Sequence, residues 1–234
     1  MINLYALTSP NVIKIFIMLE ECGLSYNIIT VDVWKGDQFR PEFLQLNPNG
    51  KIPVIVDRGN METTPIVVFE SGAILMYLAE KTGRFLPREA GARYEVLQWL
   101  MIQLTGIGPM FGQFGYFSHS APKETDNGHA IQRFRTEVVR LYRLIEDRLA
   151  KSPWLGGESY SIADIASFPW LSGYDRIGLS MEDYPFTKRW IDTIASRPKV
   201  KNAFDAVERI KSVRDHADPD DLDRLYNRGI HANA

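Results

Sequence analysis

The chain has 234 residues, of which 45% are hydrophobic and 24% charged, so it has the composition of a folded globular protein and not of a disordered or collagen-like chain. Its 27 Lys and Arg against 29 Asp and Glu give a formal net charge of −2, which argues against a general nucleic-acid surface and a polybasic membrane anchor. The sequence has neither an apolar run of roughly 18–20 residues nor a signal-peptide pattern. We therefore expect a cytoplasmic protein with no nucleic-acid and no membrane partner.

The sequence contains a single cysteine, Cys22. One cysteine excludes an internal disulfide, a Cys-x-x-Cys redox pair and a cysteine-rich zinc site. The histidines lie in predicted loops or in the C-terminal segment and lack the spacing of a metal site: His119, His129, His216 and His231. We expect no bound metal.

The first 83 residues alternate between strand and helix patterns. Alternating or β-branched segments predict strands at 2–7, 26–33, 52–57 and 66–70. Apolar residues at helical spacing predict helices at 12–21 and 71–81, with a short helical turn at 41–46. The resulting order, β-α-β-α-β-β-α, is that of a thioredoxin-like α/β domain.

After Pro87 only helical patterns remain. Helices are predicted at 94–104, 130–150, 185–197 and 200–210, and Ser161-Ile-Ala-Asp164 resembles a capping box that begins a further helix. The first of these helices is interrupted at Gly106, Gly108 and Pro109. We therefore expect three regions: a thioredoxin-like domain (1–83), an all-α domain (90–211) and a polar tail (212–234) that is loosely ordered from Asp215 onward.

Short motifs in a fixed order give the sequence a family resemblance. Three of them are typical of glutathione S-transferases, which the sequence resembles: Asn47-Pro-Asn-Gly-Lys-Ile-Pro-Val54, Phe69-Glu-Ser-Gly-Ala-Ile74 and Tyr160-Ser-Ile-Ala-Asp-Ile165. Others indicate the nu class, the bacterial proteins similar to the yeast regulator Ure2: Thr8-Ser-Pro-Asn11, Gly36-Asp-Gln-Phe-Arg-Pro-Glu-Phe43, Gly108-Pro-Met110 and Ser152-Pro-Trp-Leu-Gly-Gly157. The resemblance extends from about residue 2 to about residue 210.

Ser9 and Asn11 lie at the turn from the first strand into the first helix. The unpaired N–H groups and the dipole at a helix N-terminus favour an anion there, and a hydroxyl and an amide can donate hydrogen bonds to a thiolate. On the residues alone, simple N-caps are the favoured interpretation. In the family this turn holds the glutathione sulfur, which implies catalytic roles for Ser9 and Asn11. Thr8 is a further candidate, and mid-strand Tyr5 is expected to be a packed aromatic.

The resemblance implies a second contact at Ile52-Pro53. The family's proline is cis and exposes the N–H and C=O of the preceding residue, so the cysteinyl unit of glutathione pairs with Ile52 like a short strand. Lys51 is expected to meet the glycyl carboxylate, with a solvated turn lysine as the alternative. Gln38 matches a residue near the same glycyl end.

Glu70 and Ser71 form a third implied contact. Ser71 is expected to cap the third helix and hold the γ-glutamyl carboxylate, while Glu70 pairs with the ligand's ammonium. Arg133 is expected either to reach a second glutathione, following the nu-class pattern, or to be a solvated surface arginine.

The resemblance implies an enzyme that uses glutathione as its co-substrate to reduce disulfide bonds by thiol–disulfide exchange with a small-molecule thiol/disulfide substrate, with modest peroxidase activity. Both reacting thiols then belong to the ligand. The alternatives are a transferase that conjugates glutathione to electrophiles, with an acceptor pocket at 101–117, and a non-catalytic binding or regulatory module. Family members are usually homodimers, so the resemblance implies a homodimer, with Phe69 and the 94–104 face as candidate contacts.

Overall fold

The computed structural model describes residues 1–59, 64–122, 124–212 and 216–228. The chain forms two compact units, one of residues 1–78 together with 201–234 and the other of residues 79–200. The strands are β1 (Ile2–Ala6), β2 (Tyr26–Thr30), β3 (Val54–Asp57) and β4 (Ile66–Phe69). The α-helices are α1 (Pro10–Cys22), α2 (Pro41–Leu44), α3 (Ser71–Thr82), α4 (Ala90–Ile102), α5 (Gly108–Gly115), α6 (Gly128–Leu149), α7 (Ile162–Leu171), α8 (Pro185–Ala195), α9 (Pro198–Glu208) and α10 (Pro219–Leu225).

The first unit contains a four-stranded mixed sheet in the order β2-β1-β3-β4. β1 pairs in parallel with β2 and antiparallel with β3, and β3 pairs antiparallel with β4. In this register Tyr5 lies opposite Val54, and Val54 lies opposite Phe69. The end of β1, the start of β3 and the end of β4 therefore meet at one end of the sheet, and the predicted thioredoxin-like fold is confirmed.

Helix α1 has clear sequence signals at both ends. Ser9 is the N-cap, Pro10 occupies the first turn, and Gly23 closes the helix in the left-handed conformation with φ 68°. The side chains of Val12, Ile15, Phe16 and Leu19 are fully buried, and the centroid of the Phe16 ring lies 5.7 Å from that of Tyr26 on β2. Only three residues connect β1 to α1, so the N-terminus of the helix lies close to the end of β1.

An apolar cluster lies beneath the end of the sheet where the strands meet. Val31, Phe43 and Val54 are buried in it, and Tyr5 and Ile52 pack against it. The ring centroids of Tyr5 and Phe43 are 6.2 Å apart. The prediction that Tyr5 is a packed aromatic is therefore confirmed.

The second unit is helical. In its N-terminal half, the structure differs from the prediction that the first helix is interrupted. Residues Gln103–Ile107 form a π-helical turn that leads directly from α4 into α5, and Tyr116–Ser120 form another after α5. The predicted break at Gly106, Gly108 and Pro109 is therefore a change of helix type: the α-helical pattern stops at Ile102 and resumes at Gly108, with Pro109 in the first turn of α5.

A buried carboxylate organises the start of α7. Asp164 and Ser161 form a complete capping box, which confirms the prediction. Asp164 also accepts hydrogen bonds from the Leu155 N–H at 2.9 Å and from Trp190 Nε1 at 2.8 Å. One fully buried side chain thus joins the loop before α7 to α8.

Two further expectations need correction. His119 and His129 lie in a helical turn and in α6, not in loops, because the helices extend further than the apolar pattern. The segment after residue 215 is not loosely ordered over residues 219–225, which form α10 behind a capping box made by Asp218 and Asp221. Asp215, Gly229 and His231 lie outside the described residues. Among the described helices, none is long and apolar enough to cross a membrane.

Candidate functional site

The N-terminus of α1 presents a hydroxyl and an amide at the end of β1. Ser9 Oγ accepts a hydrogen bond from the Val12 N–H at 3.3 Å, which leaves its own O–H available as a donor. Within the described part of the chain, the Asn11 amide has no hydrogen-bond partner. Thr8 Oγ1 is shielded from solvent and has no partner there either. Of the two hydroxyls, that of Ser9 is therefore the better placed to meet a ligand.

The 47–53 turn brings backbone groups to the start of β3. Asn47 Nδ2 donates to the Lys51 carbonyl at 2.7 Å, and Asn47 Oδ1 accepts from the Asn49 N–H at 3.0 Å, so this buried asparagine holds the turn together. The Ile52–Pro53 peptide bond is cis, as expected. Within the described ranges, the Ile52 N–H and C=O have no hydrogen-bond partner. The exposed Lys51 ammonium likewise has no carboxylate partner in those ranges.

The junction between β4 and α3 differs in detail from the expectation. Ser71 is not the cap of α3 but its first residue, because the Glu70 carbonyl accepts the first helical hydrogen bond, from the Ile74 N–H at 2.9 Å. Glu70 has φ 65°, a left-handed conformation that costs a non-glycine residue about 1–2 kcal/mol. As the first residue of α3, Ser71 has a backbone N–H without an acceptor inside the helix.

A direct hydrogen bond joins two of these segments. Asn49 Nδ2 donates to Glu70 Oε1 at 3.2 Å, so the 47–53 turn and the β4–α3 junction are adjacent. The Ser71 hydroxyl has no partner among the residues that the structure describes. The structure thus gathers five of the predicted residues at one end of the sheet: Ser9, Asn11, Ile52, Glu70 and Ser71.

Lys14 is a residue of this region that the sequence analysis missed. It lies one turn after Asn11 on α1, and its side chain is completely buried. Burial lowers the pKa of Lys14 to about 7, while the nearby Glu70 carboxylate acts in the opposite direction. A single lysine inside the otherwise apolar stretch 12–19 is the sequence signal that could have drawn attention to it.

The side chains of Gln38 and Arg133 contact other groups of the protein. Gln38 is buried, and its Nε2 donates to the Val33 carbonyl at 3.2 Å, so its amide stabilises the 32–40 loop. Arg133 lies on α6 in the second unit, exposed, with Nη1 2.7 Å from Glu137 Oε1. A ligand contact by either residue stays a prediction.

These elements define a class of protein: a thioredoxin-like unit with hydrogen-bond donors at two helix N-termini beside an unpaired backbone segment, followed in the chain by a helical unit. Residues 8–81 match the glutathione S-transferase N-terminal domain and residues 107–198 match the glutathione S-transferase C-terminal domain. The chain belongs to the glutathione S-transferase family.

Two individual relatives are similar to the chain over most of its length. The chain is 50% identical over 205 residues to the disulfide-bond oxidoreductase YfcG of Escherichia coli, covering 87% of this chain and 94% of YfcG. A Burkholderia graminis glutathione transferase, crystallised with two glutathione molecules per subunit, is 44% identical with a TM-score of 0.84 and 89% coverage of both chains.

A Ure2-like protein from a fungus is also similar to the chain. The glutathione transferase URE2P6 of Phanerochaete chrysosporium, crystallised with oxidised glutathione, is 33% identical with a TM-score of 0.81, covering 90% of this chain and 97% of that chain. The predicted family and the Ure2-like resemblance are confirmed.

Proposed function

We propose that this protein is a glutathione-dependent disulfide-bond reductase. The observation that carries the proposal is the 50% identity to YfcG over nearly its whole length. The site agrees with it, because donors at the two helix N-termini and the backbone of Ile52 remain available to a ligand. The lone Cys22 lies at the opposite end of α1, so both reacting thiols are supplied by glutathione.

In the proposed complex, glutathione extends along the end of the sheet. Its cysteinyl backbone pairs with the N–H and C=O of Ile52. The γ-glutamyl carboxylate accepts hydrogen bonds from the N–H and hydroxyl of Ser71, and Glu70 pairs with the ammonium. Lys51 neutralises the glycyl carboxylate. These contacts place the thiol at the N-terminus of α1.

The chemistry is two successive thiol–disulfide exchanges. The thiolate of bound glutathione attacks one sulfur of the substrate disulfide, forming a mixed disulfide and expelling the other sulfur as a thiolate that takes up a proton. The thiolate of a second glutathione then attacks the glutathione sulfur of the mixed disulfide. The products are oxidised glutathione and the second substrate thiol. Ser9 and Asn11 stabilise the attacking thiolate, and the remaining contacts orient it.

A side-by-side assay tests this proposal. Purified protein is supplied with reduced glutathione and, in parallel, a small disulfide, a chlorinated aromatic acceptor and an organic hydroperoxide. We expect rapid formation of oxidised glutathione with the disulfide, slower turnover of the hydroperoxide and little conjugation. Dominant conjugation would identify a transferase instead, and glutathione binding without any turnover would identify a binding or regulatory module.

A second glutathione site is proposed at Arg133. The Burkholderia relative was crystallised with two glutathione molecules per subunit, and Arg133 is exposed on α6. Calorimetric titration should give two glutathione molecules per subunit for the wild type and one for Arg133→Ala. Arg140→Ala is the matched control, because Arg140 pairs with the same Glu137.

The protein is proposed to act as a cytoplasmic homodimer, since the cytoplasm keeps glutathione reduced. Phe69 on the sheet edge and Tyr94 on α4 are 37% and 64% exposed, and large aromatic side chains are enriched at protein–protein interfaces. Light scattering should show dimers for the wild type and monomers for Phe69→Lys or Tyr94→Lys. Ile28→Lys, on the opposite edge of the sheet, should remain dimeric.

A further inference from the structure

Helix α10 contacts one particular loop of the first unit. Lys35 Nζ lies 2.7 Å from Asp221 Oδ1, although the two residues are 186 positions apart in the sequence. The Lys35 ammonium lowers the pKa of the Asp221 carboxyl, and hydrogen bonding to Asp221 raises the pKa of Lys35. The short distance between Nζ and Oδ1 makes this contact a direct ion pair within the first unit.

A second contact is centred on Arg224. Its Nη1 donates to the Trp34 carbonyl at 3.3 Å. Its aliphatic stem covers Gly36, where a Cβ would lie 3.2 Å from Arg224 Cδ and the backbone has φ 82°. A Cβ at residue 36 would require the Arg224 stem to shift by a few tenths of an ångström, and the left-handed φ itself favours glycine there. Asp220 Oδ2 holds the guanidinium from the helix side at 2.6 Å.

The 32–40 loop is itself closed by internal hydrogen bonds. The Asp32 N–H donates to Asp37 Oδ2 at 3.0 Å, and the Asp37 N–H donates back to the Asp32 carbonyl at 3.1 Å. Gln38 adds its bond to the Val33 carbonyl across the loop. A displacement at Trp34 or Lys35 is therefore passed on to Gln38 and Phe39.

The opposite side of the loop packs against the 47–53 turn. A Cβ at Gly50 would lie 3.4 Å from Phe39 Cε1 and 3.5 Å from the Gln38 carbonyl oxygen. Gly50 directly precedes Lys51 and Ile52. A continuous series of contacts thus runs from α10 through the 32–40 loop to the backbone proposed to pair with glutathione.

We infer that α10 is a positioning element for this site: through Asp221 and Arg224 it fixes the 32–40 loop, and through that loop it fixes the turn that carries Lys51 and Ile52. The inference rests on the proposed glutathione contacts at that turn. Asp221 and Arg224 touch no reacting atom in this scheme; they act through the loop. Loss of the contact therefore weakens glutathione binding and leaves the chemical step nearly unchanged.

The test uses the full-length chain with Lys35→Ala, which removes one partner of Asp221 without touching the caps of α10. Arg224→Ala is the second variant; it removes the bond to the Trp34 carbonyl and also the 3.3 Å contact of Arg224 with Asp221 Oδ1. Lys35→Arg is the conservative rescue. Lys188→Ala is the matched control, since Lys188 forms an exposed pair with Asp192 at 2.6 Å on α8. For each variant we measure the Kd for reduced glutathione, kcat at saturating glutathione and hydrogen exchange over residues 33–40 and 48–52.

Lys35→Ala and Arg224→Ala should each raise the Kd for glutathione about 3- to 5-fold, the range of one exposed ion pair or hydrogen bond. Hydrogen exchange should rise in both segments, kcat should stay within about 2-fold, and Lys35→Arg should resemble the wild type. The inference is overturned if both alanine variants keep the wild-type Kd, whether or not exchange rises in the loop. It is also overturned if Lys188→Ala has the same effect. A wild type that binds glutathione but reduces no disulfide would contradict the proposed function alone.

Discussion

Ser9 and Val12 are joined by a hydrogen bond of 3.3 Å in which the Val12 N–H donates to the Ser9 hydroxyl oxygen. This bond makes Ser9 the N-cap of α1 and at the same time leaves the hydroxyl proton free. The two interpretations that the sequence left open, a cap and a thiolate donor, are therefore compatible, because one uses the oxygen lone pair and the other the O–H.

Replacing Ser9 separates these two roles. Ser9→Ala should lower the free energy of unfolding by about 1 kcal/mol through the lost cap, and should also raise the thiol pKa of bound glutathione. Ser9→Thr should preserve both properties. The measurements are urea unfolding and thiolate absorbance against pH. Ser180 forms a cap of the same length to Glu182, so Ser180→Ala should lose stability only. An unchanged thiol pKa in Ser9→Ala would leave Ser9 as a cap alone.

Asn11→Ala should raise the thiol pKa of bound glutathione, since one donor to the thiolate is lost, and should slow disulfide reduction most at low pH. An increase of one pKa unit corresponds to about 1.4 kcal/mol. The same absorbance titration measures it. Asn202→Ala, on the exposed face of α9, serves as control. If the Asn11 variant titrates like the wild type, Asn11 has no part in stabilising the thiolate.

Cys22→Ala should leave disulfide reduction within about 2-fold of the wild type. Cys22 is the last residue of α1 and Asn11 lies in its first turn, so the helix rise of 1.5 Å per residue separates them by about 16 Å. No single thiol exchange bridges that distance within one chain. The initial rate of oxidised glutathione formation is the measurement. A near-complete loss of turnover in a folded variant would contradict the scheme in which glutathione supplies both thiols.

Lys14 should make stability depend on pH. The unfolded chain keeps the Lys14 proton up to about pH 10.5, whereas the folded chain releases it near pH 7. Between these values the unfolded state binds more protons, so stability rises with pH by up to about 1.4 kcal/mol per pH unit. Urea unfolding at pH 7, 8 and 9 should show this rise in the wild type and in the surface control Lys201→Met. Lys14→Met should lack it; parallel profiles for all three proteins would contradict the prediction.

Asp164→Ala should destabilise the protein by about 3–5 kcal/mol, because it leaves the buried N–H groups of Leu155 and Trp190 without their acceptor. Thermal or urea unfolding measures the loss. Asp192→Ala removes an exposed carboxylate from α8 and should change stability by less than about 1 kcal/mol. Equal effects of the two substitutions would mean that the Asp164 network is not a stabilising feature.

The sequence predicted those elements whose structure is determined by a few neighbouring residues. The Ser9 cap, the capping box at Ser161 and Asp164 and the alternating strands are short-range patterns, and the structure contains them. The left-handed Glu70 was not predictable in this way, because its conformation depends on how β4 meets α3. The contact between Lys35 and Asp221 could not be predicted either, because nothing in either segment indicates its distant partner. The Asp218-Pro219 cap signal of α10, however, was present in the sequence.

The first compact unit is built from two separate stretches of sequence, residues 1–78 and 201–234, with the whole second unit inserted between them. An exchange of the thioredoxin-like half between relatives, made by joining the chains near residue 80, would transfer the 32–40 loop without its own α9 and α10. Such a chimera would pair Lys35 and Gly36 with a foreign C-terminal helix. Chimeras that are meant to carry over glutathione affinity should therefore transplant both stretches together.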